Sequence, residues 1–358
     1  MITFKVGILG AGHIAGEVAE CLNKLSGFSP YAVASRDEAS ATAFAVAHQI
    51  EKSYSSYDEL IADPDVELIY IATVNSNHAE LAKKCIEAGK PCLVEKPFSY
   101  NLNTAREVLD LAREKHVFCG EALWTRYMPL TQAFHKLVAD NVIGTVRHVS
   151  ATIGFDLHEV ERITDPNLGG GALLDLGIYP LSMVLWIMQA MPKNFSPSIT
   201  KWNSGVDAMD SIQLNFPQGR TASVFITMTY KSDNSLTVYG TSGRIEVDDV
   251  ICPTKVTFKS LNGEPVQVME RPEKQESGYE FEFMSARDAI ITDKIETPEH
   301  DHNSILRMAN LMEAIRLSGG ILLPLPGEPT PDDLKQRFTK VSGNDPAPSA
   351  PASPEANA

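Results

Sequence analysis

Lys96, Asp175 and Tyr179 are the side chains of this sequence best placed by type and spacing to move protons and charge. Lys96 stands in Glu95-Lys96-Pro97, directly after the apolar run Pro91-Cys92-Leu93-Val94. Its ammonium therefore lies at the end of an expected strand, where open α/β sheets bind ligands, and a cation there stabilises a developing alkoxide. Asp175 and Tyr179 lie four residues apart behind Gly169-Gly170-Gly171, a helical spacing that puts both on one face. A phenol with an ordinary pKa of about 10 is a poor base at neutral pH, and a nearby ammonium lowers that value. Lys96 could supply it. The set points to proton transfer by Tyr179, charge stabilisation by Lys96, and orientation of the substrate or of the lysine by Asp175. A surface lysine, a helix-cap carboxylate and a core tyrosine are the bland readings of the same three residues.

A second constellation would hold a dinucleotide. Gly10-Ala11-Gly12-His13-Ile14-Ala15 follows an expected strand and opens an amphipathic helix. Gly10 permits a tight turn, Gly12 lets the backbone approach a pyrophosphate, and Ala15 keeps helix and strand close. The free N–H groups of the helix start, around His13 and Ile14, complete an anion site. At the end of the second strand, where an acid would bind the ribose of NAD(H), stand Ser35 and Arg36. A hydroxyl and a guanidinium suit a 2′-phosphate, so NADP(H) is favoured over NAD(H). Asp37 and Glu38 oppose this if they turn inward, and are ordinary helix-start acids if they do not.

The elements that must position these residues follow from periodicity. Lys5–Leu9, Tyr31–Ala34, Leu68–Ile71, Cys92–Val94 and Val117–Cys119 read as short buried strands alternating with helices, a doubly wound parallel sheet of the Rossmann α/β class. After Arg126 the pattern becomes a helix through Leu137 and antiparallel strands at Thr145–Ile153, Ser211–Phe216, Thr221–Tyr230, Ser235–Tyr239 and Lys255–Lys259. This is an α+β domain with a large open-faced antiparallel sheet. A late helix, Ser304–Leu317, follows the cap candidates Asp301 and Asn303. We expect a dinucleotide-binding domain at 1–122, an α+β substrate and oligomerisation domain at 123–326, and a Pro/Ala/Ser-rich disordered tail at 327–358.

Composition narrows the functions. The chain has 358 residues, 43% hydrophobic and 22% charged, enough for two cores. Its 31 basic and 46 acidic residues give −15, which argues against nucleic acid or anionic lipid as a partner, though a local basic pocket stays open. Five cysteines without C-x-x-C spacing read as free thiols in a reducing compartment, and the N-terminus runs straight into a strand, so a cytoplasmic protein is expected. No stretch reads as a membrane span of about 18 apolar residues. His300-Asp301-His302 lacks a third ligand at recognisable spacing, so no metal is expected.

Glu95-Lys96-Pro97, the Gly10 turn and the Gly169–Pro180 block together resemble the glucose-fructose oxidoreductase, inositol dehydrogenase and MocA (Gfo/Idh/MocA) family, from about Thr3 to Pro326. Tyr179, where many relatives have histidine, and the block Glu121-Ala122-Leu123-Trp124-Thr125-Arg126 are similar to its dihydrodiol and D-xylose dehydrogenase branch. The resemblance implies an NADP(H)-dependent oxidoreductase of a small polyol, aldose or trans-dihydrodiol, with a cis bond before Pro97. It implies that Thr73, Asn75 and His78 run along the cofactor, beside Glu95, Lys96, Trp124 and Arg126, although Thr73-Val74 departs from the family's T-P. His78 reads equally as a structural residue at a helix start. Trp124 and Phe155 are candidates for the substrate pocket wall or simple core, with Asp175 and Tyr179 contacting substrate. Relatives dimerise or tetramerise through the open sheet, and Phe225 lies on the face such a contact would cover. A non-catalytic nicotinamide-binding regulator and an inositol-type sugar dehydrogenase are the alternatives.

Overall fold

A computed structural model describes residues 3–328; most of the tail expected at 327–358 lies outside the described residues. The first domain alternates β1 (Phe4–Leu9), α1 (His13–Lys24), β2 (Phe28–Ala34), α2 (Glu38–Ala47), β3 (Lys52–Tyr54), α3 (Tyr57–Ala62), β4 (Leu68–Ile71), α4 (His78–Glu87), β5 (Cys92–Glu95), α5 (Leu102–Lys115) and β6 (Cys119–Ala122). Its six strands are all parallel, in the order β3-β2-β1-β4-β5-β6. The order reverses beside β1, which opens the crevice where such sheets bind ligands. β4 and β5 are buried on both faces because helices cover both sides of the sheet.

The second domain opens with α6 (Pro129–Ala139) and β7 (Val146–Gly154), followed by the single turn α7 (Glu161–Thr164) and α8 (Ile178–Met188). Strands β8 (Asn194–Lys201), β9 (Asp207–Asn215), β10 (Thr221–Thr227), β11 (Leu236–Gly240), β12 (Gly243–Val247), β13 (Lys255–Ser260) and β14 (Pro265–Glu270) complete an eight-stranded sheet. The sheet is mixed where an antiparallel one was expected: β7 and β10 run parallel at its centre, while the other pairings are antiparallel. Inward residues such as Val149, Ile212, Val224 and Val238 pack on α8 in one core. Each such side chain removed from water contributes about 1.5–3 kcal/mol. Residues Pro166–Met188 contain an 18-residue window apolar and long enough to cross a membrane by composition, contrary to expectation, and 89% of that window is buried inside the protein.

Two late helices close over the first domain. α9 (Glu280–Ile291) places Phe283, Ala286 and Ala289 against the face covered by α1, and α10 (His302–Ser318) places Ile305 and Ala309 on the other. Asp301 caps α10 by accepting from the Ser304 N–H at 2.7 Å. The chain then returns to the first domain, where Tyr100 Oη donates to the Pro326 carbonyl at 2.8 Å and Arg316 pairs with Glu328 at 2.6 Å.

Candidate active site

The crevice at the strand ends is a cleft of about 590 Å³ between the two domains. Gly10, Gly12, His13, Ile14, Ser35, Arg36, Thr73, Asn75 and His78 line its first-domain side, with Glu95 and Lys96 at its floor. Gly10 has φ +110°, and a Cβ there would lie 2.6 Å from the Ala72 carbonyl oxygen, so only glycine fits. A Cβ on Gly12 would meet nothing within 4 Å, which leaves the helix start open to a pyrophosphate. Asp37 does not turn inward: its carboxylate caps α2 through the Ser40 N–H at 2.8 Å. Arg36 is exposed on the cleft wall. These residues fit a nicotinamide dinucleotide.

Lys96 is held from two sides. The buried strand β5 delivers it to the edge, and the Lys96–Pro97 peptide is cis, as the resemblance implied. Its Nζ donates to the Asp175 carbonyl at 2.8 Å and to Asp175 Oδ1 at 3.1 Å. Arg162 Nη1, from α7, donates to the same Oδ1 at 2.7 Å. Burial opposes ionisation of Asp175, but Lys96 and Arg162 outweigh it and hold the carboxyl down to about 2. Burial likewise works against the Lys96 ammonium, and Asp175 and the neighbouring groups more than restore it. Behind the lysine, Glu95 accepts from Tyr70 Oη and, at 3.0 Å, from the Lys96 N–H. Burial pushes its carboxyl up to about 7 against the pull of Lys96.

Asp175 and Tyr179 do share the cleft, but not through a regular helix. Leu173–Gly177 is a π-helical turn, whose i→i+5 spacing is wider than the expected α-helical one. Tyr179 follows in α8, its ring centroid 5.1 Å from Lys96 Nζ. Trp124 Nε1 donates to Tyr179 Oη at 3.2 Å, which leaves the phenol's own proton to point elsewhere. The expected lowering of the tyrosine is reversed: burial raises the phenol above its ordinary value despite the Lys96 ammonium.

Two expected residues lie elsewhere. Arg126 stands two residues beyond Trp124 in a 3₁₀ turn, which rotates it by about 240°. Its guanidinium faces a second cavity, stacked 3.9 Å over the Trp186 ring. Phe155 is not among the cleft-lining residues; it packs against the second-domain core. Trp124 does line the cleft, stacked at 4.4 Å on Tyr279. Sequence reasoning passed over Tyr279 and Arg162, because neither belongs to a local motif and each gains its meaning from a contact distant in sequence. His78 lines the cleft but is buried, its ring bridging the Pro97 and Thr73 carbonyls at 2.9 and 3.1 Å. Asn75 Nδ2 donates across the domains to the Gly169 carbonyl at 3.0 Å. His300 and His302 point apart, to Glu121 and to the Cys119 carbonyl.

The family model described as an oxidoreductase family with an NAD-binding Rossmann fold matches residues 4–122, and the GFO/IDH/MocA C-terminal domain matches residues 131–246. The chain is 32% identical over 337 residues to trans-1,2-dihydrobenzene-1,2-diol dehydrogenase of Sus scrofa, covering 90% of this chain and 99% of that one. It is 36% identical over 266 residues to the Mus musculus enzyme of the same name, covering 74% and 79%. In fold it is similar to a 3-ketoreductase from Actinomadura kijaniata solved with NADP and TDP-benzene, at TM-score 0.79 and 23% identity, covering 88% and 97%. It is also similar to an aldose-aldose oxidoreductase from Caulobacter crescentus, at TM-score 0.77 and 21% identity, covering 89% and 98%.

Proposed function

The chain belongs to the Gfo/Idh/MocA oxidoreductase family and is an NAD(P)-dependent dehydrogenase or reductase, and on that premise we propose that it uses NADP(H) to interconvert a hydroxyl and a carbonyl on a small polyol, aldose or trans-dihydrodiol. The single observation that carries the chemistry is the stack of Asp175, Lys96 and Tyr179, with Trp124 fixing the phenol oxygen. The cofactor, when bound, supplies or accepts the hydride. Lys96 places a permanent positive charge where negative charge grows on the substrate oxygen. Asp175 and Arg162 fix that ammonium so that it needs no rearrangement during the reaction. Tyr179 Oη, neutral at ordinary pH and already accepting from Trp124, donates its proton to the carbonyl oxygen of a reducible substrate. In oxidation the phenol must first ionise, so that direction gains with alkalinity. The stacked Trp124–Tyr279 pair offers an apolar wall to a ring or to the hydrophobic face of a sugar. NADP(H) rather than NAD(H) is supported by Arg36 without an inward acid, and association into a homodimer by the open outer face of the second sheet.

Tyr179→Phe and Lys96→Met should each lower kcat by about two orders of magnitude or more, with cofactor affinity little changed in fluorescence titration. Wild-type kcat/KM for oxidation of a trans-dihydrodiol or D-xylose should climb with pH into the alkaline range. In Tyr179→Phe that climb should vanish. A variant that keeps both the turnover and the alkaline limb would remove Tyr179 from the reaction.

A further inference from the structure

Beyond opening the dinucleotide site, α1 supports the wall of the reaction centre. Glu17 and Cys21, one turn apart on it, both meet the segment 276–280 that leads into α9. Tyr279 Oη donates to Glu17 Oε2 at 3.0 Å, and Cys21 Sγ approaches Glu280 Oε2 at 3.9 Å. The Glu280 carboxylate gathers the segment from within. It accepts from the N–H groups of Glu276, Ser277 and Gly278 at 3.0, 3.3 and 2.7 Å and from the Ser277 hydroxyl at 3.1 Å. Glu17 Oε1 lies 3.2 Å from His13 Nε2 at the helix start, so both oxygens of that carboxylate have partners.

The same segment lies on Trp124. Gly278 has φ +113°, and a Cβ there would stand 3.0 Å from the indole and 2.9 Å from Met128 Cε, so its backbone sits flush against the ring. The Tyr279 ring stacks on the indole with centroids 4.4 Å apart and planes inclined by 28°. Trp124 Nε1 in turn donates to Tyr179 Oη at 3.2 Å. Contacts therefore run unbroken from Glu17 through Tyr279 and Trp124 to the phenol. Stacking alone lets one ring slide over another, whereas a hydroxyl tied to a carboxylate fixes the far end of Tyr279 through a charge-assisted bond. Indole has a single N–H lying in its own plane, so a tilt of the stack is a tilt of the bond to Tyr179.

We propose that Glu17 is a positioning residue for the reaction: through Tyr279 it holds Trp124 in the plane from which the indole N–H fixes the Tyr179 oxygen. This rests on the reading of Tyr179 as proton donor and acceptor. It gives α1 two tasks, since the helix whose start fits a pyrophosphate also sets the geometry of the phenol.

The test compares full-length Glu17→Ala, Glu17→Gln, Tyr279→Phe and the Glu17→Ala/Tyr279→Phe double variant at saturating NADP. Glu17 is exposed, so its substitution spares the core. Glu17→Ala and Tyr279→Phe should each lower kcat by about fivefold, the worth of one modest hydrogen bond. The double variant should fall no further, because both changes remove the same contact. Glu17→Gln keeps an acceptor and should recover most of the loss, while Glu20→Gln, which removes an exposed charge from the same helix, should change nothing. The alkaline limb of oxidation separates position from charge. Lys96 and the Trp124 N–H favour the phenolate, Glu95 and Asp175 oppose it, and Tyr279 is kept neutral by its burial. Loss of an anion at Glu17 would by itself move the limb to lower pH, whereas a displaced Trp124 N–H moves it to higher pH. We expect the upward move in Glu17→Ala and Tyr279→Phe and none in Glu17→Gln. Without any ligand, the near-ultraviolet circular dichroism of the Trp124–Tyr279 stack should change in Glu17→Ala and match wild type in Glu17→Gln. Wild-type kcat in Glu17→Ala, additive losses in the double variant, or a downward move of the limb would each overturn the role of Glu17, even where Tyr179→Phe abolishes turnover. Turnover that survives Tyr179→Phe would instead remove the reading of the phenol, and this proposal with it.

Discussion

Arg36 and Asp37 show how one residue's direction sets a cofactor preference. Both leave β2 at the cleft, but Asp37 spends its carboxylate on the Ser40 N–H and hydroxyl, and this pairing holds its carboxyl below the ordinary range. The acid that would repel a 2′-phosphate is thus turned into a helix cap, while Ser35 and Arg36 line the cleft. Arg36→Ala should lower kcat/KM with NADP by about tenfold, the worth of a charge-assisted contact at a partly exposed site, and leave that with NAD nearly unchanged. The measurement is the ratio of the two specificity constants. A ratio equal to wild type would take the 2′-phosphate away from Arg36. The same scale explains why a lysine–tyrosine pair was legible but its titration was not. Residue types announce that Lys96 favours a phenolate, whereas the opposing burial of Tyr179 exists only once α8 is packed in the core.

At the scale of elements, the strands that were legible are those with an apolar signature. β1, β4 and β5 are buried runs, and β9 and β10 alternate cleanly. Four strands were missed: β12 alternates, but over only five residues, whereas β3 has three residues and none of them buried, and β8 and β14 are largely exposed at the two edges of the second sheet. Their place is fixed by pairing with a neighbour rather than by their own burial. The π-helical turn was also invisible, because Asp175 and Tyr179 have the same sequence separation whether or not one residue is inserted into the helix. Its anchor lies on β9, where the Asp207 carboxylate accepts from the Leu173 N–H beneath Gly171. Gly171 has φ +122°, and a Cβ there would stand 2.4 Å from Asp207 Oδ1. Gly171→Ala should therefore cost about 2 kcal/mol or more in stability and lower kcat further than the loss of folded protein explains, because the turn that holds Asp175 against Lys96 must move. Denaturation midpoints and kcat per folded molecule separate the two effects. Unchanged values of both would mean that the turn tolerates displacement and that Asp207 does not fix it.

At the scale of the whole molecule, the second sheet spends one face on α8 and the core and leaves the other without a covering layer among the described residues. On that outer face Phe225 is half-buried in β10, opposite the inward Val224 and Ile226, with Tyr230 and Tyr239 exposed at 48% and 42%. Around them lie the small hydroxylated Ser150 and Thr152 on β7, Ser211 on β9, Ser223 on β10 and Thr237 on β11, together with His148 on β7 and Gln213 on β9. Such a surface is flat enough to meet a second copy of itself about a twofold axis, which repeats every contact twice. Its mixture of aromatic rings and hydroxyls resembles an interface more than a bare core, and the cleft opens on the other side of the domain. Association through this face should therefore leave each cofactor site open. Sedimentation equilibrium should give twice the chain mass of 39.1 kDa. Phe225→Glu buries a charge at the centre of the contact, and should shift the protein toward the monomer while NADP binding persists. A monomeric wild type, or a dimer indifferent to that charge, would mean that the sheet's outer face meets only water.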